Sequence, residues 1–405
     1  MSGGLRQRGV AAVVFLAIFV IILIGVLTTA FGGRSVQNEF DAKTLPVLAA
    51  AKEALIAYAA SHPTAPGRLP CPNTLNDVLN EGLEQCTGIA GDQLGRLPWK
   101  TLSIPIPRDG SGECLWYAVS GNFVETPVTP GINSDANGTI KVVDDASPPN
   151  VLAGATVKSL AVAVIFAPGP PLGSNLRTPP PPPAPKCGGN INALNYLDTA
   201  GGVSNALIAV PAQYVAGTPG PTFNDRLVYI TPADLFPSVE RRVAGEIKKR
   251  LQTYFASNGY YPYPSTILDT TNFACTQYIT RGRLPLTIHS TCSDNLEWPA
   301  GALPTWYHSD GWDMLTFYSI APSYCASPAS CLPVGGLLTL QNGPVPLNNK
   351  QALVIEAGRA LPTQDRSINT IGNYLDGPEN TDNNDTYTTL PRSPTFNDVV
   401  VVVAP

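Results

Sequence analysis

The chain is poor in the residue types that carry chemistry. Its three histidines, His62, His289 and His308, stand in unrelated contexts. Only His308 has polar company, in the run His308-Ser309-Asp310, but a catalytic triad depends on geometry across a fold, and the run reads as a turn beside an Asp-Gly corner. No HExxH pair, phosphate-binding glycine loop or GxSxG elbow occurs. The sequence therefore assigns no catalytic residue and predicts a protein that is not an enzyme. Hard oxygen ligands gather once, where Asp376, Glu379, Asp382 and Asp385 flank Asn383 and Asn384. Those are ligand types calcium takes, although the spacing is not that of an EF-hand. Calcium at these four acids is the one candidate cofactor, set against a solvated loop, and the corresponding loop of the first half lacks the acids.

Eight cysteines divide evenly, with Cys71, Cys86, Cys114 and Cys187 in the first half and Cys275, Cys292, Cys325 and Cys331 in the second. There is no CxxC pair and no histidine at ligand spacing from two cysteines, so disulfides in an oxidising compartment are expected rather than zinc. Sequence proximity favours Cys71 with Cys86, Cys275 with Cys292 and Cys325 with Cys331, leaving Cys114 for Cys187. Sequence leaves the connectivity open.

The elements that must position these residues are short. Hydrophobic residues make up 44% of the chain and charged residues 14%, while 41 prolines and 36 glycines call for short strands joined by many turns. The formal charge is −5 and no Lys/Arg run interleaves with aromatics, which excludes a nucleic-acid surface. After the basic leader MSGGLRQRG, residues Val10 to Phe31 carry no charge, long enough for the about 20 residues of a membrane-crossing helix. Arg6 and Arg8 before it, with Glu39 and Asp41 beyond it, place the N-terminus in the cytoplasm and export the rest.

Read against each other, the halves repeat the same signatures in the same order. LIAYAAS (55–61) matches LQTYFAS (251–257), and each runs into a glycine and a proline pair, GRLPCP from Gly67 and GYYPYP from Gly259. GRLPW (95–99) recurs as GRLPL (282–286), RDGSGECLWYAVS (from Arg108) as SDGWDMLTFYSIA (from Ser309), INALNYLD (from Ile191) as INTIGNYLD (from Ile368), and TFNDRLVYITP (from Thr222) as TFNDVVVVVAP (from Thr395). Val239, Val243, Ile247, Leu251 and Tyr254 recur at helical spacing after a Thr231-Pro232-x-Asp234 start, which predicts an amphipathic helix. The runs LAVAVIFAP, RLVYITP, ALVIEAG and DVVVVVAP supply strands for it to lie on.

This ordered pattern resembles the type IV pilin superfamily, including the pseudopilins of type II secretion. The leader ending in Gly9, the apolar stretch from Val10, the tyrosine-rich exit LQTYFASNGYYPYP and the turn DGWDMLTFY carry the likeness. The fold it implies is α+β, a long N-terminal membrane-spanning helix followed by two tandem pilin-like domains, each a helix packed on an antiparallel sheet. The expected divisions are a leader over 1–9, a transmembrane helix over 10–33, a first domain over 34–230 and a second over 231–405. Prepilin peptidase would cut after Gly9 and methylate Val10. The family usually has phenylalanine or methionine where Val10 stands and glutamate where Val14 stands. A subunit without that glutamate suits a filament tip, so the resemblance implies a minor pilin or pseudopilin at or near the tip. Its partners would be other such subunits, the peptidase and the inner membrane, and its localisation single-pass inner membrane with periplasmic or extracellular heads. The alternative is a permanently anchored exported adhesin or binding protein.

Overall fold

A computed structural model describes residues 37–86, 91–124, 131–173, 175–178, 182–271, 273–331, 336–343, 345–382 and 384–405. Helix α1 occupies 37–61 and buries Leu48, Ala51, Leu55 and Ala59, one stripe at three- and four-residue spacing, while Glu39 and Lys43 pair on its exposed side. The first half continues with β1 (Gln93–Arg96), β2 (Trp116–Val119), β3 (Lys141–Asp144), β4 (Val151–Ala153), β5 (Ala163–Ala167), β6 (Thr199–Ala200), β7 (Val203–Ser204), β8 (Gln213–Ala216) and β9 (Arg226–Ile230). Helix α2 (Pro232–Asn258) starts where the Thr231 backbone N–H donates to Asp234 at 2.8 Å. It ends at Gly259, whose φ of 77° and N–H to the Phe255 carbonyl suit a residue without Cβ.

The second half has β10 (Arg281–Arg283), helix α3 (Thr305–Ser309), β11 (Thr316–Ile320), β12 (Leu338–Asn342), β13 (Val345–Lys350), β14 (Ala352–Glu356), helix α4 (Pro378–Thr381), β15 (Thr386–Thr389) and β16 (Val399–Ala404). The halves share one strand plan. Antiparallel sheets β1-β2-β5-β9 and β10-β11-β14-β16 correspond, as do the three-stranded sheets β4-β3-β8 and β13-β12-β15, each with one antiparallel and one parallel pairing. A ribbon β6-β7 belongs to the first half alone among the described residues.

One continuous apolar core holds α1, α2 and the inner faces of both four-stranded sheets, including Leu55, Tyr117, Ile165, Val243, Leu251, Tyr318 and Val354. Polar contacts add to it. Arg359 donates to the Ala136 carbonyl at 2.6 Å, the Ala360 N–H to Asp135 at 2.9 Å, and Arg366 pairs with Asp135 at 3.2 Å. A Cβ on Gly131 would lie 2.5 Å from Asp310 Cα, so the 131–137 loop seats directly on the second half. Buried Glu240 accepts from Ser134 Oγ at 2.9 Å and from Arg392.

Two expectations are corrected. The expected α+β fold, led by a membrane-spanning helix and carrying one helix and one antiparallel sheet per domain, gives way to a sheet-rich chain of several small sheets, two of them with parallel pairs, and four helices among the described residues. No described helix is long and apolar enough to cross a membrane, and the single-pass inner-membrane localisation falls with that finding. The physical reason lies in the helices themselves. Both long ones are amphipathic and carry ionic side chains, such as Lys52, Arg242 and Arg250, and they bury their apolar stripes against strands. The stretch 10–33 called transmembrane lies outside the described residues.

Candidate functional site

The polar residues that survive in both halves converge on one place in each. In β1 and β10 the Gly-Arg pair lies against a neighbouring backbone. A Cβ at Gly95 would approach Asn73 O to 2.6 Å, and one at Gly282 would approach Ser265 O to 2.0 Å. The absent side chain lets Asn73 and Ser265 hydrogen-bond the backbone of Arg96 and Arg283 at 2.9 Å. The next side chain then turns inward. Arg96 stands 5.4 Å from the Tyr196 ring, which also carries Arg177 at 4.7 Å, and Arg283 stands 4.9 Å from the Tyr374 ring, which carries Arg366 at 4.7 Å. Arg96 donates to the Gly188 and Asn190 carbonyls, and Arg283 to those of Ile267 and Asp269 and to Asn369 Oδ1. Burial pulls both guanidiniums below their ordinary value, partly offset by the tyrosine beside each.

Next to each tyrosine lies a reciprocal carboxyl pair. The Asp198 N–H donates to Asp225 Oδ2 at 2.9 Å while the Asn224 N–H donates to Asp198 Oδ2 at 2.8 Å. In the second half the Asp376 N–H donates to Asp398 Oδ2 and the Asn397 N–H to Asp376 Oδ2, both at 2.7 Å. Burial pushes Asp225 and Asp398 well above the carboxylate range, and the partner aspartate pushes the same way. The Oδ1 atom of each is buried without an acceptor or donor partner, which suits a protonated carboxyl. These pairs lock a loop to the start of β9 and β16; buried and bonded to backbone, they are staples.

A stability consequence follows. A raised carboxyl value means the contribution is complete below the unfolded-chain value and is lost as pH rises through the folded one. Asp398→Asn stays neutral at every pH and keeps an acceptor for the Asp376 N–H. Relative to the parent chain it is expected to gain about 1.4 kcal/mol per pH unit across that interval. Denaturant unfolding at pH 4, 6 and 8 measures this, and stability curves that stay parallel would refute it.

The halves differ on the outer face of the four-stranded sheet. In the first, Trp116 and Phe166 stand opposite one another and pack on Tyr196 and Tyr214 at ring distances of 5.1 and 5.0 Å, closing that face with their own side chains. In the second, the matching pair is Phe317 and Ile355, and Arg281 and Ser319 replace Leu94 and Ala118. The smaller pair leaves a groove of about 690 Å³ lined by Phe317, Ile355, Leu375, Tyr387, Arg281 and Tyr278. Arg281 pairs with Asp385 at 3.2 Å and Tyr387 Oη donates to Ser319 Oγ at 2.7 Å. Tyr278 is held at a φ of 69°, in the left-handed region that disfavours a bulky side chain.

The structure joins Cys71 to Cys86, Cys114 to Cys187, Cys275 to Cys292 and Cys325 to Cys331, the pairing that proximity favours. Glu84 lies beside the first of these, but its two sulfurs are bonded to each other, so this closest grouping of ligand types is not a metal centre. The four candidate calcium acids do not converge. Asp376 is in the buried carboxyl pair, Asp385 holds Arg281, Asp382 accepts from Asn384, and Glu379 lies on α4. Among the described residues, no three of them bring ligand oxygens together. His308 Nδ1 bonds Asp313, while Ser309 Oγ turns to Asp310 at 3.4 Å, so no triad forms there. His289 Nδ1 meets the Asn295 carbonyl and His62 Nδ1 accepts the Ala65 N–H. Gly9 and Val10 lie outside the described residues. Sequence reasoning missed the Arg–Tyr–Arg stacks and the carboxyl pairs. Their signal was present in the repeats, since GR, NYLD and TFND each keep the polar residue in both copies.

Comparison with protein-family models, with curated proteins and with solved structures finds no match.

Proposed function

We propose that this chain is a non-enzymatic structural subunit of the type IV pilin and pseudopilin kind, a minor subunit at or near the tip of a type IV pilus-like or type II secretion filament. The observation that carries the reading is the repeated order of a long amphipathic helix, a Gly-Pro exit and a four-stranded antiparallel sheet. The local bonding repeats too, since Tyr117 Oη and Tyr318 Oη each donate at 3.2 Å to the carbonyl of an exit proline, Pro70 and Pro262. The polar groups of both carboxyl–arginine nodes bond to the chain's own backbone, as scaffold residues do. Valine at position 14 suits a subunit with none above it. Its partners are then other pilin or pseudopilin subunits and a prepilin peptidase. Mass spectrometry of the N-terminus after co-expression with such a peptidase is expected to show a chain beginning at a methylated Val10. An intact Met1 terminus would overturn this reading.

A second reading, an exported binding protein, is favoured by the open groove on β10, β11 and β14. It predicts an uncut leader.

A further inference from the structure

Among the described residues strand β16 forms an outer edge of its sheet, hydrogen-bonded on one side to β14. Five consecutive valines, Val399 to Val403, make up nearly all of it. The Ala357 N–H donates to the Leu315 carbonyl, toward the β11 side, so the two-residue alternation of the ladder aims Val354 and Glu356 at β16. Their partners Val401 and Val399 therefore bond inward, and the backbone groups of Val400 and Val402 face outward. Natural edges of this kind are blunted by charge, proline or a covering side chain.

The first half shows what such blunting looks like here. Its equivalent edge strand β9 begins with Arg226, held by Asp41 at 2.8 Å, and carries bulky Tyr229. The Tyr229 carbonyl, which alternation turns outward, accepts Lys52 Nζ at 3.1 Å. In β16 the corresponding residues are Val399 and Val402; Gln252 Nε2 donates to the next carbonyl, that of Val403, at 2.8 Å, but among the described residues no side chain bonds the backbone of Val400 or Val402. The side chains of β16 are half-buried on both faces, Val399 and Val401 against the core shared with α2, Val400 and Val402 against the Phe317–Tyr387 cluster. A strand added there would extend both of these half-covered apolar faces, so a strand apolar at successive positions fits it. This chain contains such a strand in β16 itself, and a run of identical valines reads the same in either direction, so two copies placed antiparallel meet valine with valine.

We propose that β16 pairs with β16 of a second copy, joining two β10-β11-β14-β16 sheets into one eight-stranded sheet across a two-fold axis. The inference is independent of the filament reading. The test uses the full chain, by sedimentation together with hydrogen exchange at the Val400 and Val402 amides over a hundredfold range of concentration. A monomer–dimer equilibrium in which those two amides become protected with concentration is expected. Val400→Pro removes an outward donor and no ladder bond, so it should keep the parent's circular dichroism and weaken the dimer at least tenfold. Val400→Thr keeps the donor and the branched shape, and should dimerise as the parent does. A chain that stays monomeric throughout overturns the proposal. So does self-association that leaves Val400 and Val402 exchanging at a constant rate, or that persists unchanged in Val400→Pro. Capture only of a different protein's strand also overturns it.

Discussion

Replacing Arg283 with alanine is expected to cost about 4 kcal/mol of folding stability. The side chain is fully buried among Phe273, Phe317 and Tyr374. Its removal takes a charged donor from the half-buried Ile267 and Asp269 residues and from Asn369 Oδ1, and a bond from a charged group contributes about 1.5–3 kcal/mol. It also opens a void where a guanidinium filled space. Arg283→Lys keeps the charge but loses the planar fork that reaches three acceptors and lies on the tyrosine ring, so it should recover little of the loss. Arg281, two residues earlier on the same strand, is the internal control. Its ion pair with Asp385 is partly solvated, and Arg281→Ala should cost roughly 1 kcal/mol or less. Urea unfolding followed by tryptophan fluorescence measures all three. A loss below about 1 kcal/mol for Arg283→Ala would sink the idea that the buried arginine organises the module.

Removing the Cys114–Cys187 bond by the double change Cys114→Ser and Cys187→Ser is expected to cost about 4 kcal/mol, and removing Cys325–Cys331 about half that. The ranking follows from the loops closed. The first spans 73 residues and the second 6, and the constraint on the unfolded chain grows with the logarithm of that length. Cys71–Cys86 and Cys275–Cys292, with separations of 15 and 17, should fall between them at about 3 kcal/mol each. Position adds to the first case. Cys114 sits just before β2, and the loop around Cys187 is also held by Glu81, which accepts the Lys186 and Cys187 N–H groups. Freeing that loop therefore loosens the carbonyls of Gly188 and Asn190 that receive Arg96. Paired unfolding curves for the four double variants test the order, and equal losses at all four sites would reject the loop-length account.

Much of the fold could be read from local pattern. The stripe from Val239 to Tyr254 gave a helix because apolar residues at helical spacing must face a core, and Thr231, Asp234 and Gly259 marked its ends by satisfying or ending the backbone bonds there. The runs at 163–167, 226–230, 352–356 and 399–404 gave strands for the same kind of reason. Parallel pairing of β3 with β8 and of β12 with β15 was not legible, because the partners are far apart in sequence and no local signal encodes register between them. Which partners the acidic loop takes was not legible for a related reason: the sequence leaves calcium and a solvated loop both open, and only the chain path sends Asp376 inward to Asp398 and Asp385 to Arg281.

By itself the sequence determined the repeated order of elements, the positions of turns and caps, and the division of cysteines between halves, since each depends on residues within a few positions of one another. The tertiary structure alone decided which polar residues meet. Arg283 finds Tyr374, and Asp225 finds Asp198, across separations that only packing can close. It also decided that one copy of the sheet is sealed by Trp116 and Phe166 while the other stays open beside Phe317 and Ile355. A cavity depends on the volumes of side chains brought together from distant strands, and no stretch of sequence carries that sum.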